Sequence, residues 1–385
     1  MTDLTLQDWS LLGWLGAWAI RLAIIPIVVT RKEQPATCLA WLMIVFFEPW
    51  IGLFLYFLLG EDRLVRKRLK LRARTAHRFR QAIGDLPSES FGGEDQNHWD
   101  SPVDETTGTE EQTVLQSLGD SVGGLPVTRG NAVTFIVNTD VVVERLIRDF
   151  DNATRRIDLL FYMVQNDEVG QRVGDALKRA VQRGVKCRLL ADSVGSRGFF
   201  HTLGATLSDA GVEVVEVLPA RLLRRRAARL DLRNHRKLAV IDGDIAWTGS
   251  QNLVEEGYGH QRAGVWHDIM ARLTGPVVTQ LQTIFLEDWC HETEQTSSDD
   301  DLIAAHDSVG TVAVQVIPTG PDQPMEHFQH LLVAAIHSAQ RRVTITSPYF
   351  VPDEPLICAL RLAAMRGVSV EVIIPRRSDH WIVDA

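Results

Sequence analysis

Two long apolar runs open the chain, Leu11 to Thr30 and Thr37 to Leu59, and each is long enough to cross a bilayer with a hydrocarbon core of about 30 Å. With only Arg31 to Ala36 between them, they predict a transmembrane helical hairpin. A cleaved leader is not expected, because no basic segment precedes the first run and a second run follows at once. Trp9, Trp14, Trp18, Trp41 and Trp50 suit lipid contact, some of them at the interfaces. Arg21 and Glu48 interrupt the two runs, at about 2.5 to 3.5 kcal/mol each on insertion scales. In an antiparallel hairpin rising 1.5 Å per residue their depths differ by roughly 3 Å, so they are expected to pair.

Beyond the second run stand Arg63, Arg66, Lys67, Arg68, Lys70, Arg72 and Arg74, against only Arg31 and Lys32 in the connector. Positive charge collects on the cytoplasmic side, which places the start and the large C-terminal part in the cytoplasm and the connector outside. Arg63 to Ile83, with Leu64, Leu69, Leu71 and Phe79 interspersed, suits a helix along the membrane surface. Asp85 to Gly124 is acidic and rich in Gly and Pro, which predicts a flexible linker, with room for a helical turn or more at Thr113 to Leu118.

From Val133 the pattern switches between period two and a period near 3.6. It predicts strands at 133–138, 156–162 and 185–191 with helices at 140–153 and 168–183, an α/β layer architecture. The same order returns at 312–317, 325–340, 342–348, 354–366 and 368–374. Ala153-Thr154-Arg155-Arg156-Ile157 is echoed by Ala339-Gln340-Arg341-Arg342-Val343, and Arg183-Gly184-Val185 by Arg366-Gly367-Val368. The offsets of 186 and 183 residues predict a duplicated domain.

Candidate chemistry lies in Asn234-His235-Arg236-Lys237-Leu238-Ala239-Val240-Ile241-Asp242, followed by Gly249-Ser250-Gln251-Asn252. The four residues between Lys237 and Asp242 are apolar, which predicts a buried strand with polar ends. Side chains two apart share a strand face, so His235 stands beside the charge of Lys237. A histidine can carry a proton near neutral pH or attack phosphorus, and a fixed cation stabilises charge building on phosphoryl oxygens. An exposed strand end that merely carries His and Lys is the plain alternative.

These residues resemble the phospholipase D superfamily and, more narrowly, the bacterial cardiolipin synthases. The resemblance includes His235, Lys237, Asp242 and Gly249-Ser250-x-Asn252, then Trp266-x-Asp268, Leu273 to Val278, Phe285-x-x-Asp288-Trp289, Ser347 to Glu354, Pro375 to His380, and the two N-terminal runs. It implies a phosphatidyl transfer in which one phosphatidylglycerol gives its phosphatidyl group to the enzyme and a second accepts it, yielding cardiolipin and glycerol. No metal and no cofactor are implied. His235 is then nucleophile, through a phosphohistidine, or general acid for the leaving glycerol; the sequence leaves both open. Lys237 would bind phosphate oxygens, Ser250 and Asn252 would add hydrogen bonds, and Glu255 would orient an imidazole from behind. Asp242 is expected to be structural.

The superfamily carries two such motifs, and the repeat projects the second about 35 residues past Ala385. In-line displacement puts nucleophile and leaving group on opposite sides of phosphorus, so one imidazole cannot serve both. The second lobe is therefore expected to be an incomplete copy, and a homodimer, with His235 facing its symmetry mate, is one way to complete the site. A lipid-binding pseudoenzyme and a dimeric phospholipase or phosphodiesterase are the competing functions. The fold class expected is α/β: two transmembrane helices in 1–62, a basic helix and acidic linker in 63–125, a first phospholipase D-like lobe in 126–300 and a truncated second lobe in 301–385.

Charge and cysteines refine this. A net charge of −9 argues against a general nucleic-acid binder, and no aromatics are interleaved in the basic run Arg221, Arg224, Arg225, Arg226, Arg229, Arg233 and Arg236. That run suits anionic headgroups or an ordinary solvated helix face. The expected partners are membrane phospholipids and the bilayer, at a bacterial cytoplasmic membrane, multi-pass. Cys38, Cys187, Cys290 and Cys358 have no metal-ligand spacing and read as reduced core or membrane thiols. His201, His260, His267, His337 and His380 are assigned no role.

Overall fold

A computed structural model describes residues 6–31, 35–56, 110–123, 125–219, 233–258, 264–295, 307–321 and 325–377. The basic stretch at 63–83, most of the acidic linker, Arg221 to Arg229, His260 and His380 lie outside the described residues. The chain divides into two units, Met1–Arg66 and Lys67–Ala385.

In the first unit, α1 (Leu6–Arg31) contains an 18-residue stretch, Gly13–Thr30, long and apolar enough to cross a membrane. The second run does not form the single helix expected. It makes α2 (Pro35–Phe47) and α3 (Pro49–Leu55), broken at Glu48, whose φ of −128° and ψ of 79° leave the helical region. Pro49 explains the break, because it has no N–H to donate to the carbonyl four residues back and it disfavours helical backbone in the residue before it. After the break the chain doubles back. The rings of Trp41 and Tyr56 meet edge to face at 5.4 Å, although fifteen positions of straight helix would separate them by about 22 Å. Gly52 permits the reversal, since a Cβ there would lie 2.7 Å from the Cα of Val45.

The expected ion pair between Arg21 and Glu48 is replaced by a different contact. Arg21 Nε donates to the Phe46 carbonyl at 2.8 Å, and its guanidinium lies 5.2 Å and 5.5 Å from the ring centroids of Trp18 and Phe46. A helix end leaves its last carbonyls without intrahelical partners, and the break at Glu48 supplies Arg21 with one.

The second unit begins with α4 (Glu110–Gly123), which contains the turn or more of helix foreseen at Thr113 to Leu118 and extends it on both sides. Then come β1 (Thr128–Ile136), α5 (Thr139–Asn152), β2 (Arg156–Phe161), α6 (Glu168–Gln182), β3 (Lys186–Asp192), the short α7 (Arg197–Phe200) and α8 (Leu203–Asp209), and β4 (Glu213–Val217). They are followed by β5 (Leu238–Ile241), β6 (Ile245–Gly249), β7 (Met270–Thr274), α9 (Val277–Thr293), β8 (Val312–Val314), α10 (Met325–Ser338), β9 (Arg342–Thr346), α11 (Glu354–Met365) and β10 (Ser369–Ile373).

Eight strands form one sheet in the order β4-β3-β2-β5-β6-β7-β1-β8. β2, β3 and β4 are parallel neighbours, and β5 runs antiparallel to β2. Every residue of β2 is buried, as a strand covered on both faces requires. On one side α5 and α6 supply Val142, Leu146, Phe150, Val173, Ala176 and Leu177 to the core. On the other lies α9, buried on nearly all sides and apolar for much of its length. The fully buried Arg188 pairs with Asp158 at 2.6 Å, Gln282 Nε2 donates to the same carboxylate at 2.8 Å, and the guanidinium rests over Phe285 and Trp289. Of the cysteines, Cys187 and Cys290 are buried, but Cys358 is exposed rather than a core or membrane thiol.

The echoes noted in the sequence mark recurring bonds. Arg183 donates to the carbonyls of Phe150 and Ala153 at the end of α5; Arg366 donates to those of Ile336 and Ala339 at the end of α10. Gly184 and Gly367 then adopt φ of 86° and 87°, a left-handed backbone that glycine takes without strain. Asp167 and Asp353 cap α6 and α11. The entry strand of the second set departs from the pattern: β8 is only three residues long and pairs with β1 in the first sheet, while β9 and β10 form their own parallel pair.

Candidate active site

β5 lies between β2 and β6, with Leu238, Ala239, Val240 and Ile241 all buried. His235 and Lys237 precede it on an extended lead-in whose side chains alternate. Asn234 Nδ2 and Arg236 Nη1 both donate to Asp288 Oδ2 of α9, at 3.1 Å and 2.6 Å. Arg236 Nε also donates to the Thr319 carbonyl at 2.9 Å. His235 and Lys237 instead both meet Tyr162. The imidazole stacks on the phenol ring with centroids 3.9 Å apart and planes 16° apart, and Lys237 Nζ lies 5.7 Å from the same ring's centroid. Lys237 Nζ donates to the His235 carbonyl at 2.9 Å.

Tyr162 follows β2, and Gly195 follows β3 closely enough that a Cβ there would lie 2.3 Å from the Tyr162 carbonyl. Asp192, at the end of β3, is 1% exposed. Its Oδ1 accepts from the backbone N–H of Val194 and Gly195 at 2.9 Å and 3.2 Å and lies 3.6 Å from Arg233 Nη1. Its Oδ2 is buried without a hydrogen-bond partner among the described residues. Burial against Tyr162 is the main force holding the His235 pKa below its ordinary value; Lys237 and Arg233 add to it and Asp192 opposes it. Burial likewise lowers Lys237, with Asp268 opposing. His235 nonetheless keeps an exposed edge, so a neutral imidazole is open to solvent beside an ammonium.

Asp242, at the far end of β5, has φ of 54° and accepts four bonds: from the backbone N–H of Thr154, Arg155 and Arg156, each at 2.8 Å, and from Thr154 Oγ1 at 3.0 Å. Burial works to raise its pKa, but these bonds prevail and hold it low. Ser250 Oγ donates to Asp268 Oδ1 at 2.7 Å and accepts from the Ile269 N–H at 3.0 Å. Asn252 Oδ1 accepts from the Met163 N–H at 3.1 Å, next to Tyr162 in the chain. Glu255 accepts from the Glu168 N–H at 3.1 Å, at the start of α6. The structure thus brings His235 and Lys237 together on Tyr162, ties Asn252 to the backbone next to Tyr162, and engages Glu255 with a helix end.

Sequence reasoning missed Tyr162 and Asp192, counted Arg233 only within a basic run suited to headgroups or a solvated face although it is buried beside Asp192, and gave Asp268 no role. A signal existed for two of them: Tyr162 and Asp192 stand at the carboxyl ends of adjacent parallel strands, where α/β sheets place their ligands. The arrangement can attack an electrophile with a neutral imidazole and steady anionic oxygens with an ammonium, the equipment of a phosphoryl- or phosphatidyl-transfer site on an α/β lobe.

Comparison with known proteins agrees. Residues 146–289 and 332–385 match the family described as cardiolipin synthase, phospholipase D-like domain, and residues 17–61 match the phospholipase D-nuclease N-terminal family. Cardiolipin synthase A of Edwardsiella ictaluri is 34% identical over 97% of this chain and 77% of its own length. Cardiolipin synthase A of Erwinia tasmaniensis is 34% identical over 99% of this chain and 77% of its own. Among solved structures, phosphatidylserine synthase of Haemophilus influenzae aligns with a TM-score of 0.48 and 17% identity over 69% of this chain and 66% of its own. The chain belongs to the bacterial cardiolipin synthases of the phospholipase D superfamily. It is a phosphatidyltransferase, an enzyme of membrane phospholipid metabolism.

Proposed function

We propose that the enzyme converts two molecules of phosphatidylglycerol into cardiolipin and glycerol through a phosphohistidine on His235. The neutral imidazole attacks the donor phosphorus, an N–P bond forms, the P–O bond to glycerol breaks, and glycerol leaves with a proton. The primary hydroxyl of the acceptor then attacks phosphorus, gives up its proton and displaces His235. Lys237 holds the non-bridging oxygens in both steps. Asp242 positions the strand. We assign Ser250, Asn252 and Glu255 to support around the site, the first through Asp268 and the second through the backbone beside Tyr162. The observation that carries this reading is the shared seat of His235 and Lys237 on Tyr162.

In-line displacement requires a proton donor on the far side of phosphorus from His235. We propose that a second chain presents that donor across a two-fold axis. We place the catalytic lobe at 126–300 and the second lobe at 301–385, on the cytoplasmic face of a bacterial cytoplasmic membrane, where the basic residues from Arg63 to Arg74 meet anionic lipid.

Full-length enzyme in phosphatidylglycerol vesicles is expected to release cardiolipin and glycerol in equal amounts. Phosphatidic acid in place of cardiolipin would show hydrolysis, and no product from correctly folded enzyme would overturn the reading.

Tyr162 and Asp192 act through His235 in this scheme, as positioning residues. Tyr162→Phe keeps the stacked ring and is expected to lose less than about threefold in kcat/KM, whereas Tyr162→Leu loosens the imidazole and costs about 10- to 100-fold, the scale of misplaced groups. The acid limb of kcat/KM reports the His235 pKa. It lies below the ordinary histidine value near 6.5. Asp192→Asn removes the charge that raises this pKa, so the limb moves to lower pH; Tyr162→Leu admits water and moves it up. Unmoved limbs in both variants would remove the two residues from the site.

A further inference from the structure

We infer that the membrane unit crosses the bilayer once, and that its second apolar run is a re-entrant hairpin which returns to the face it entered from. This rests on the membrane placement proposed above and reverses the topology expected from hydropathy.

Contacts along α1 trace the path. Where α2 begins, Cys38 Sγ lies 3.7 Å from the Val28 carbonyl. Further on, the Phe46 carbonyl reaches Arg21, and just past the break the Trp50 ring lies against Gly16, where a Cβ would stand 3.3 Å from it. The run has therefore climbed antiparallel to α1 from Val28 to Gly16. It then descends. Tyr56 is buried in one cluster with Ile24, Val28 and Val45, and its ring meets Trp41. Six residues past Trp50, the chain is back at the depth of Ile24 to Val28.

Length agrees with this path. The 13 residues of α2 span about 20 Å, short of the hydrocarbon core of about 30 Å, and α3 adds nothing in that direction because it points back. Buried Val45 and Gly52 seal the two arms, while Leu39, Met43, Phe47, Ile51 and Phe54 remain exposed, a surface suited to acyl chains. Trp14, Trp18 and Trp50, all exposed, add large apolar rings to that surface near the tip.

Charge agrees as well. With one crossing, Arg31 and Lys32 lie on the same side as Arg63 to Arg74, and the opposite side receives Asp3 and Asp8 with no lysine or arginine before Arg21. A two-crossing hairpin puts Arg31 and Lys32 on the side that disfavours them.

The test uses full-length chain with its four cysteines replaced and single cysteines introduced as Thr5→Cys, Glu33→Cys or Asp62→Cys. Intact cells are treated with a membrane-impermeant maleimide before and after permeabilisation. Thr5→Cys is expected to label in intact cells, and Glu33→Cys and Asp62→Cys only after permeabilisation. Labelling of Glu33→Cys in intact cells, with Thr5→Cys and Asp62→Cys protected, is the two-crossing pattern and overturns the inference; so does labelling of all three from one side. A mirrored pattern, with Glu33→Cys and Asp62→Cys both outside, keeps the single crossing but refutes the cytoplasmic placement. Release of the chain by alkaline carbonate would refute membrane insertion itself.

Discussion

His235→Ala is expected to reduce phosphatidyl transfer by about 10⁴-fold or more, the scale on which loss of a covalent nucleophile acts. The stability should hardly change, because the loop is not held by this imidazole. Asn234 and Arg236 tie it to Asp288, and the Lys237 ammonium bonds to a backbone carbonyl that alanine keeps. Removal of a side chain with an exposed edge and no such bond among the described residues is expected to change unfolding free energy by no more than about 0.5 kcal/mol. Lys237→Met gives a milder version, about 10²- to 10³-fold, since it removes one stabilising charge from the transition state but leaves the nucleophile. Vesicle assays paired with thermal melts separate the two effects. Full activity in His235→Ala, or a melt that collapses with it, would contradict the assignment.

Asp242→Asn should give the opposite signature, a loss of about 2 to 3 kcal/mol in stability with transfer per folded molecule largely kept. The carboxylate accepts bonds from three successive backbone N–H groups and a hydroxyl, joining the end of β5 to the start of β2. Charge-assisted bonds of this kind each contribute more than neutral ones, but the site is only half-buried, so their sum is discounted for solvent. Asparagine tolerates the left-handed backbone at this position, which isolates the loss of charge from strain. The sign with pH follows from the depressed pKa. The stabilisation is complete above the ordinary carboxylate value near 3.9 and disappears as pH falls through the lower folded value. Urea melts of the two proteins should therefore differ at pH 7 and converge in strong acid. A constant gap across that range would mean that the charge is not what matters.

The contrast between these residues shows what the sequence could reveal. Alternation at period two and 3.6 located β2, β3, α5 and α6 to within a few residues, because each buries one repeating face. His235 and Lys237 could be placed together because two positions on extended chain share a side. Tyr162 and Asp192 could not, since their meeting with His235 depends on the strand order β3-β2-β5, which brings distant segments side by side. In the membrane unit the misreading has a local cause. Hydropathy counts side chains and is blind to the backbone, so Thr37 to Leu59 read as one span although Glu48-Pro49 carried the break within it. The Arg21 partner changed for the same reason, from a carboxylate to the carbonyl of Phe46 near that break.

The central claim is that His235 carries the phosphatidyl group between two lipids. Enzyme mixed with phosphatidylglycerol labelled in its phosphate, quenched in alkali to preserve phosphoramidates and mapped by mass spectrometry, tests it directly. The expected result is label on the peptide containing His235, formed before cardiolipin appears and chased from it by unlabelled phosphatidylglycerol. Cardiolipin formed with no labelled peptide, or with label on another residue, would contradict it.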